Sequence, residues 1–222
     1  MNFLLAIEGG EYVGKTSVVA PSLEKFFTSL GWVVKIGREP GGTTKGEEIR
    51  RKIFEKARKK APAKELALLF NQSRKIHIDD VIKPFFKENT GKNSLFILDR
   101  YLDSTRVYQG FEGGVDFDTI RNLEAEYVKG FFPDLTLILY LPEDKFNEIM
   151  KQRADSAHKG REKSPWEDFD FSVQLQRQRY YLSLPELSNS WGEKRNFAKI
   201  DASQSPEKVV KDCLVVLEKL TS

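Results

Sequence analysis

The stretch Gly9-Gly10-Glu11-Tyr12-Val13-Gly14-Lys15-Thr16 reads as G-x-x-x-x-G-K-T. The apolar run Phe3-Leu4-Leu5-Ala6-Ile7 precedes it, and a helix-compatible segment, residues 17–30, follows directly. A strand feeding a glycine-rich turn that opens a helix aims several backbone N–H groups and the positive helix end at one point, which suits a polyphosphate. Gly9 and Gly14 admit backbone angles and close approaches that a side chain would block. In such a loop Lys15 reaches the β- and γ-phosphates and the Thr16 hydroxyl ligates Mg²⁺. Gly10, Glu11, Tyr12, Val13 and Ser17 complete the expected ATP-binding segment. The alternative is a turn with a solvated lysine, and the flanking strand and helix speak against it.

The 222 residues suffice for a single α/β domain, 1–222, with a sizeable core. Basic and acidic residues nearly balance, 36 against 33, for a net charge of +3. A nucleic-acid binder would gather more basic excess on one face, so no nucleic-acid partner is expected; anionic small substrates fit a mild positive balance. Cys213 is alone, so no intrachain disulfide is possible; among Val209, Val210, Leu214 and Leu217 it reads as a small buried hydrophobe. The N-terminal apolar run is too short for a signal peptide and meets Glu8 at once, and no run approaches a membrane span. A cytoplasmic chain with no membrane partner is expected.

Downstream, strand patterns at 32–36, 95–98, 135–140 and 197–200 alternate with helical ones. The helices are expected at 44–59, from Pro62 to a break at 89–93, after the loop 110–116, from Pro142, at 169–184 and at the end of the chain. Alternation of this kind predicts a mainly parallel, doubly wound sheet. Ligands of such sheets lie beyond the carboxyl ends of the strands, which here carry Gly9, Arg38-Glu39, Asp99-Arg100 and Asp201. Asp99 can support Mg²⁺ through water and Arg100 can hold a phosphate bidentately; the alternative is a salt-bridged strand end. Phe70 and Arg74, four apart on a helix, can form a pocket for a planar base; periodicity alone favours a core Phe70 and a surface Arg74. In the basic run 50–60 only Arg50 lies near the loop mouth, and the rest reads as a solvated face. His77 and His158 have no partners at metal-ligand spacing. The polar stretch 154–166 reads either as a loose loop or as a lid that excludes water, with Arg153 and Arg161 neutralising the transferring phosphoryl group.

Taken together, the chain resembles the thymidylate kinases of the P-loop nucleoside-monophosphate kinase group. The resemblance rests on Ile7-Glu8-Gly9-Gly10-Glu11 through Lys15-Thr16, Arg38-Glu39-Pro40-Gly41-Gly42-Thr43 and Phe70…Arg74. It continues through Asp99-Arg100-Tyr101…Ser104-Thr105…Tyr108-Gln109-Gly110, Pro133-Asp134-Leu135 and Asp201-Ala202-Ser203. It implies a three-layer P-loop NTPase fold: a five-stranded parallel sheet with helices on both faces and a short lid at about 154–166. It further implies a homodimer that moves the ATP γ-phosphoryl group to thymidine monophosphate with Mg²⁺. Carried over by position, Phe70 would stack on thymine, and Arg74, Thr105 and Gln109 would contact its polar edge. Arg38, Arg50 and Arg100 would hold the monophosphate, with Pro40 and Ser104 beside them. Glu11 would meet the sugar 3′-hydroxyl, Tyr108 would crowd the 2′ side, and Ala202-Ser203-Gln204 would lie against adenine. The phosphate loop has no arginine, so the lid should supply the catalytic one, as in the bacterial type: Arg161, Arg153 or a nearby lysine. The chain departs from the family pattern in a longer, lysine-rich lid and in Gln174-Leu175-Gln176, where related chains often carry arginines. The residues alone also leave room for another nucleotide or nucleoside kinase, or for a nucleotide-dependent switch that has lost transfer.

Overall fold

The computed structural model describes residues 1–157, 164–167 and 170–221. Five strands form one parallel sheet: β1 (Asn2–Gly9), β2 (Val33–Arg38), β3 (Ser94–Asp99), β4 (Leu135–Tyr140) and β5 (Phe197–Asp201). Their order is β2-β3-β1-β4-β5, so the chain leaves the central β1 toward one edge and later returns to the other side. β1, β3 and β4 are near-continuous apolar runs because both their faces are covered. On one face Leu5, Ile7, Ile97, Leu137 and Leu139 pack with Leu23, Phe27, Val209, Cys213 and Leu217. These belong to α1 (Ala20–Ser29) and α10 (Pro206–Thr221). On the other, Leu4, Ala6, Phe96 and Leu98 pack with Ile78, Ile82, Phe85 and Leu102. Each buried Leu, Ile, Val or Phe side chain among these contributes roughly 1.5–3 kcal/mol relative to exposure.

The register sets the functional rim. Ile7 pairs with Asp99 and Arg38 pairs with Asp99, so the ends of β1, β2 and β3 stand level; Tyr140 pairs with Asp201 on the other side. The charged strand ends therefore share one edge, beside the loop that follows β1.

The helices depart from expectation at three places. The long helix from Pro62 comprises α3 (Ala63–His77), a wide π turn at Ile78–Ile82 and α4 (Lys83–Glu88). Pro84 lacks the N–H that a regular helix needs, and the widened turn precedes it. The expected 169–184 helix is α8 (Phe171–Leu182), followed by α9 (Leu184–Ser190), which Pro185 opens. Residues 102–112, left without an element in the sequence, form α5 (Leu102–Thr105) and a π turn, Arg106–Glu112. Their inward face carries Asp103, Thr105, Arg106 and Gln109, so no apolar stripe marks them. The remaining helices are α2 (Thr44–Arg58), α6 (Phe117–Tyr127) and α7 (Phe146–Ala157). Thr43 caps α2 through Gly46 N at 2.8 Å, and Asp116 caps α6 through Thr119 N at 2.7 Å. Among the described residues no helix is long and apolar enough to cross a membrane.

Candidate active site

The loop after β1 takes its shape from backbone that few side chains allow. A Cβ on Gly9 (φ +133°) would lie 2.4 Å from the Leu139 carbonyl oxygen, and Gly14 (φ +92°) precedes the first turn. Tyr12 (φ +59°) and Arg100 (φ +68°) adopt left-handed backbone without being glycine, and both stand at this rim. Lys15 is buried, and its Nζ donates to Gly9 O at 3.1 Å and Gly10 O at 2.5 Å. Burial and the neighbouring Arg100 push the Lys15 ammonium down to about 8. The Thr16 hydroxyl donates to the Asp99 carboxylate across the strand ends. A hydroxyl and a carboxylate oxygen facing one another suit a hard cation that draws its other ligands from phosphate and water. The described residues contain no cluster of three His, Cys, Asp or Glu side chains that would hold a metal unaided.

Arg100 is the junction. From the end of β3 it donates to Gly9 O at 3.0 Å, the Tyr181 hydroxyl at 2.8 Å and the Glu11 carboxylate at 2.7 Å. Burial opposes ionisation of Glu11, but Arg100 and Lys15 outweigh it and hold the carboxyl below the usual range. Tyr108 also donates to Glu11, at 3.2 Å.

Beyond Arg100 opens a cavity of about 250 Å³. Of the residues expected at the acceptor site, Glu11, Arg38, Pro40, Arg50, Phe70, Arg74, Arg100, Ser104, Thr105, Tyr108 and Gln109 all line it, together with Lys15, Thr16 and Asp99. Arg50 donates to Pro40 O at 2.9 Å and lies 4.4 Å over the Phe54 ring. Arg38 pairs with Glu47 at 3.3 Å near the surface. The Phe70–Arg74 pair reverses the periodicity reading: Arg74 is buried and Phe70 half-buried. An arginine goes inside here because partners far apart in the chain meet it: Glu39 after β2, Tyr101 O after β3 and Thr105 at the end of α5.

Four lining residues were not singled out in the sequence, Phe54, Ser164, Trp166 and Glu167, and Glu39 and Tyr101 stood there only within motifs, with no role assigned. The Trp166 ring stands 5.7 Å from Phe70, 5.8 Å from Phe54 and 6.1 Å from Tyr108. A lone tryptophan in a polar stretch was the available signal. Its carbonyl accepts from Gln174 at 3.0 Å and Arg177 at 2.8 Å, so α8 anchors this segment.

On the donor side, Arg153 does not line the cavity. It donates to Ala202 O at 2.6 Å and Tyr12 O at 3.2 Å, joining the phosphate loop to the turn after β5. In that turn Ser203 N donates to Asp201 at 2.8 Å, and the Gln204 amide approaches Asp212 at 3.3 Å. Gly10, Val13, Gly14 and Ser17 likewise lie outside the cavity, in or beside the loop. The start of the expected lid, as far as Ala157, is the end of α7. Arg161 lies outside the described residues.

A family model described as Thymidylate kinase matches residues 7–213. The chain is 32% identical to a thymidylate kinase of Mesoplasma florum, over 97% of this chain and 95% of that protein. It is 33% identical to one of Leifsonia xyli subsp. xyli, over 92% and 89%, and 37% identical to one of Dehalococcoides mccartyi strain CBDB1, over 72% and 76%.

Proposed function

The chain belongs to the thymidylate kinase family, and from that premise we propose how this site moves the ATP γ-phosphoryl group to thymidine monophosphate. The observation that carries the reading is Arg100, which bonds the phosphate loop at Gly9 O while lining the cavity that holds Phe70 and Arg74. A donor site and an acceptor site thus meet at one guanidinium. Phe70 stacks on thymine; Arg74, Thr105 and Gln109 meet its polar edge. Arg38, Arg50 and Arg100 hold the monophosphate beside Pro40 and Ser104, Glu11 takes the 3′-hydroxyl, and Tyr108 excludes a 2′-hydroxyl.

On the donor side the loop 9–17 cradles the ATP phosphates, and Lys15 leaves its carbonyl partners for the β/γ oxygens. Thr16 and Asp99 are the residues that would hold Mg²⁺, which supplies charge neutralisation across the β- and γ-phosphates. Transfer is in line, without a covalent enzyme intermediate. The acceptor phosphate is already an oxyanion, so positioning and charge neutralisation by Lys15, Arg100 and a lid arginine carry catalysis. Arg153 takes the donor side, since it ties Tyr12 to Ala202 beside the adenine turn at 202–204. Arg161 then supplies the lid charge, with 154–166 as the lid of a single domain. The working form is a cytoplasmic homodimer, which sedimentation of the purified chain tests directly.

The deciding experiment measures ATP consumption against a panel of nucleoside monophosphates and bare nucleosides. Thymidine monophosphate should give the highest kcat/KM, and Lys15→Ala should abolish turnover with the fold intact. Undiminished activity in Lys15→Ala, or preference for another acceptor, would overturn the reading.

A further inference from the structure

Behind the cavity wall, Glu39 is buried with both carboxylate oxygens engaged. Oε2 accepts from Arg74 Nε at 2.7 Å, and Oε1 faces His77 Nδ1 at 3.2 Å. The side chains of Arg74, His77 and Glu39 are 2%, 1% and 3% exposed, so water does not compete for these bonds. The imidazole sits in a slot walled by two glycines: a Cβ on Gly37 would lie 2.7 Å from its Cε1, and one on Gly42 3.0 Å from its Cδ2. Phe96 meets the ring edge-on at 5.8 Å.

His77 Nε2 has no hydrogen-bond partner among the described residues. A buried N–H without an acceptor is rarer and costlier than a bare lone pair, so the proton belongs on Nδ1, where it is donated to Glu39. Arg74 carries five N–H donors. Besides Glu39, they reach Asn71 Oδ1 at 3.0 Å, Tyr101 O at 3.0 Å and Thr105 Oγ1 at 3.2 Å. Those bonds leave one Nη1 N–H for a ligand, on a guanidinium that lines the cavity.

We propose that His77 is a positioning residue for acceptor-base recognition: its Nδ1–H fixes the Glu39 carboxylate, which orients Arg74 so that one guanidinium N–H is presented to the base. His77 does not line the cavity and acts through the other two. The proposal rests on the assignment of this cavity to the pyrimidine monophosphate.

Two variants separate the hydrogen bond from the packing. His77→Asn keeps an N–H near the Nδ1 position and loses most of the ring; His77→Leu fills volume without a donor. Both should lower Tm by similar amounts. His77→Leu should raise KM for thymidine monophosphate roughly 3- to 10-fold, the worth of one hydrogen bond. Its kcat and its KM for ATP should stay within about two-fold, and His77→Asn should stay close to wild type in all three. Equal KM increases in both variants, or none in either, would overturn the proposal while leaving the kinase reading intact. A wild-type protein that does not turn over thymidine monophosphate would instead remove the reading beneath it. ¹⁵N spectra of the wild type give a readout that needs no variant at position 77, since His158 is the only other histidine. The Nδ1–H tautomer supports the proposal, and the Nε2–H tautomer sinks it.

Discussion

At Lys15 packing and chemistry pull in opposite directions. The loop buries an ammonium beside Arg100, and among the described residues it donates hydrogen bonds to two carbonyls, those of Gly9 and Gly10. Burial first, then the like charge of Arg100, bring it down to about 8 from an ordinary 10.5. Between those values the unfolded chain binds more protons than the folded one, so stability of the chain alone rises with pH across that window. Phosphates would restore the charge. The value of kcat/KM for ATP, which reports the free enzyme, should therefore fall above pH about 8, while kcat, which reports the complex, holds to higher pH. Coincident limbs in the two profiles would refute this. The roles proposed for Arg153 and Arg161 separate in the same kinetic terms. Arg153→Ala, which frees Tyr12 O and Ala202 O, should raise KM for ATP with kcat little changed. Arg161→Ala should lower kcat by about 10²–10³ with little change in KM, as for loss of one charge-stabilising donor. The reverse pattern would exchange their roles. Single residues were legible where a motif fixes the backbone, as at 9–16, and illegible where burial depends on distant partners. Nothing local tells that Arg74 rather than Phe70 turns inward, because Glu39 is 35 residues away.

Between elements, Glu8 ties the central strand to the helical segment whose Ser104, Thr105, Tyr108 and Gln109 line the cavity. Its carboxylate accepts from Tyr101 N at 2.7 Å, Ser104 N at 3.2 Å and Ser104 Oγ at 2.7 Å, and Ser104 Oγ lies 2.8 Å from the Tyr181 hydroxyl that Arg100 also meets. Burial, then Asp103, push Glu8 up to about 7 from 4.5. In that window the folded chain binds more protons than the unfolded one, so ionising Glu8 as pH rises costs stability. Glu8→Gln keeps the acceptor for the two backbone N–H groups and does not ionise. Its stability relative to wild type should improve between pH 5 and pH 8 by on the order of 2–3 kcal/mol, read from urea unfolding at both values. A pH-independent difference would remove Glu8 as the titrating group. The same contacts explain why α5 and its π turn were missed. A segment that faces inward with Asp103, Thr105, Arg106 and Gln109 has no apolar period, and its helical signal lies in partners on other elements. Strands buried on both faces, β1, β3 and β4, declare themselves locally, whereas the order β2-β3-β1-β4-β5 is set by packing between elements and is written in no single one of them.

Across the whole molecule, the part that no window of sequence reveals is an ionic lattice away from the reaction. Arg106 donates to Glu124 at 2.9 and 2.6 Å and to Glu193 at 2.9 and 2.6 Å, and its guanidinium lies 4.5 Å over Trp191. Arg195 holds Asp103 at 2.8 and 2.5 Å. The lattice joins α5, α6 and the approach to β5, elements up to 92 residues apart. Charges buried this deeply contribute little net stability as pairs, because desolvation offsets their attraction, yet removing one partner strands the others. Arg106→Leu leaves Glu124 and Glu193 without their shared cation and should cost about 3–5 kcal/mol, seen as a lower urea midpoint with an unchanged m-value. Kinetic constants of the folded fraction should stay near wild type, since none of these residues lines the cavity. Replacing Arg106, Glu124 and Glu193 together by leucine should recover much of the loss, because no charge is then stranded. If the triple variant were no more stable than the single one, the cost would lie in packing against Trp191 instead of in unpaired charge.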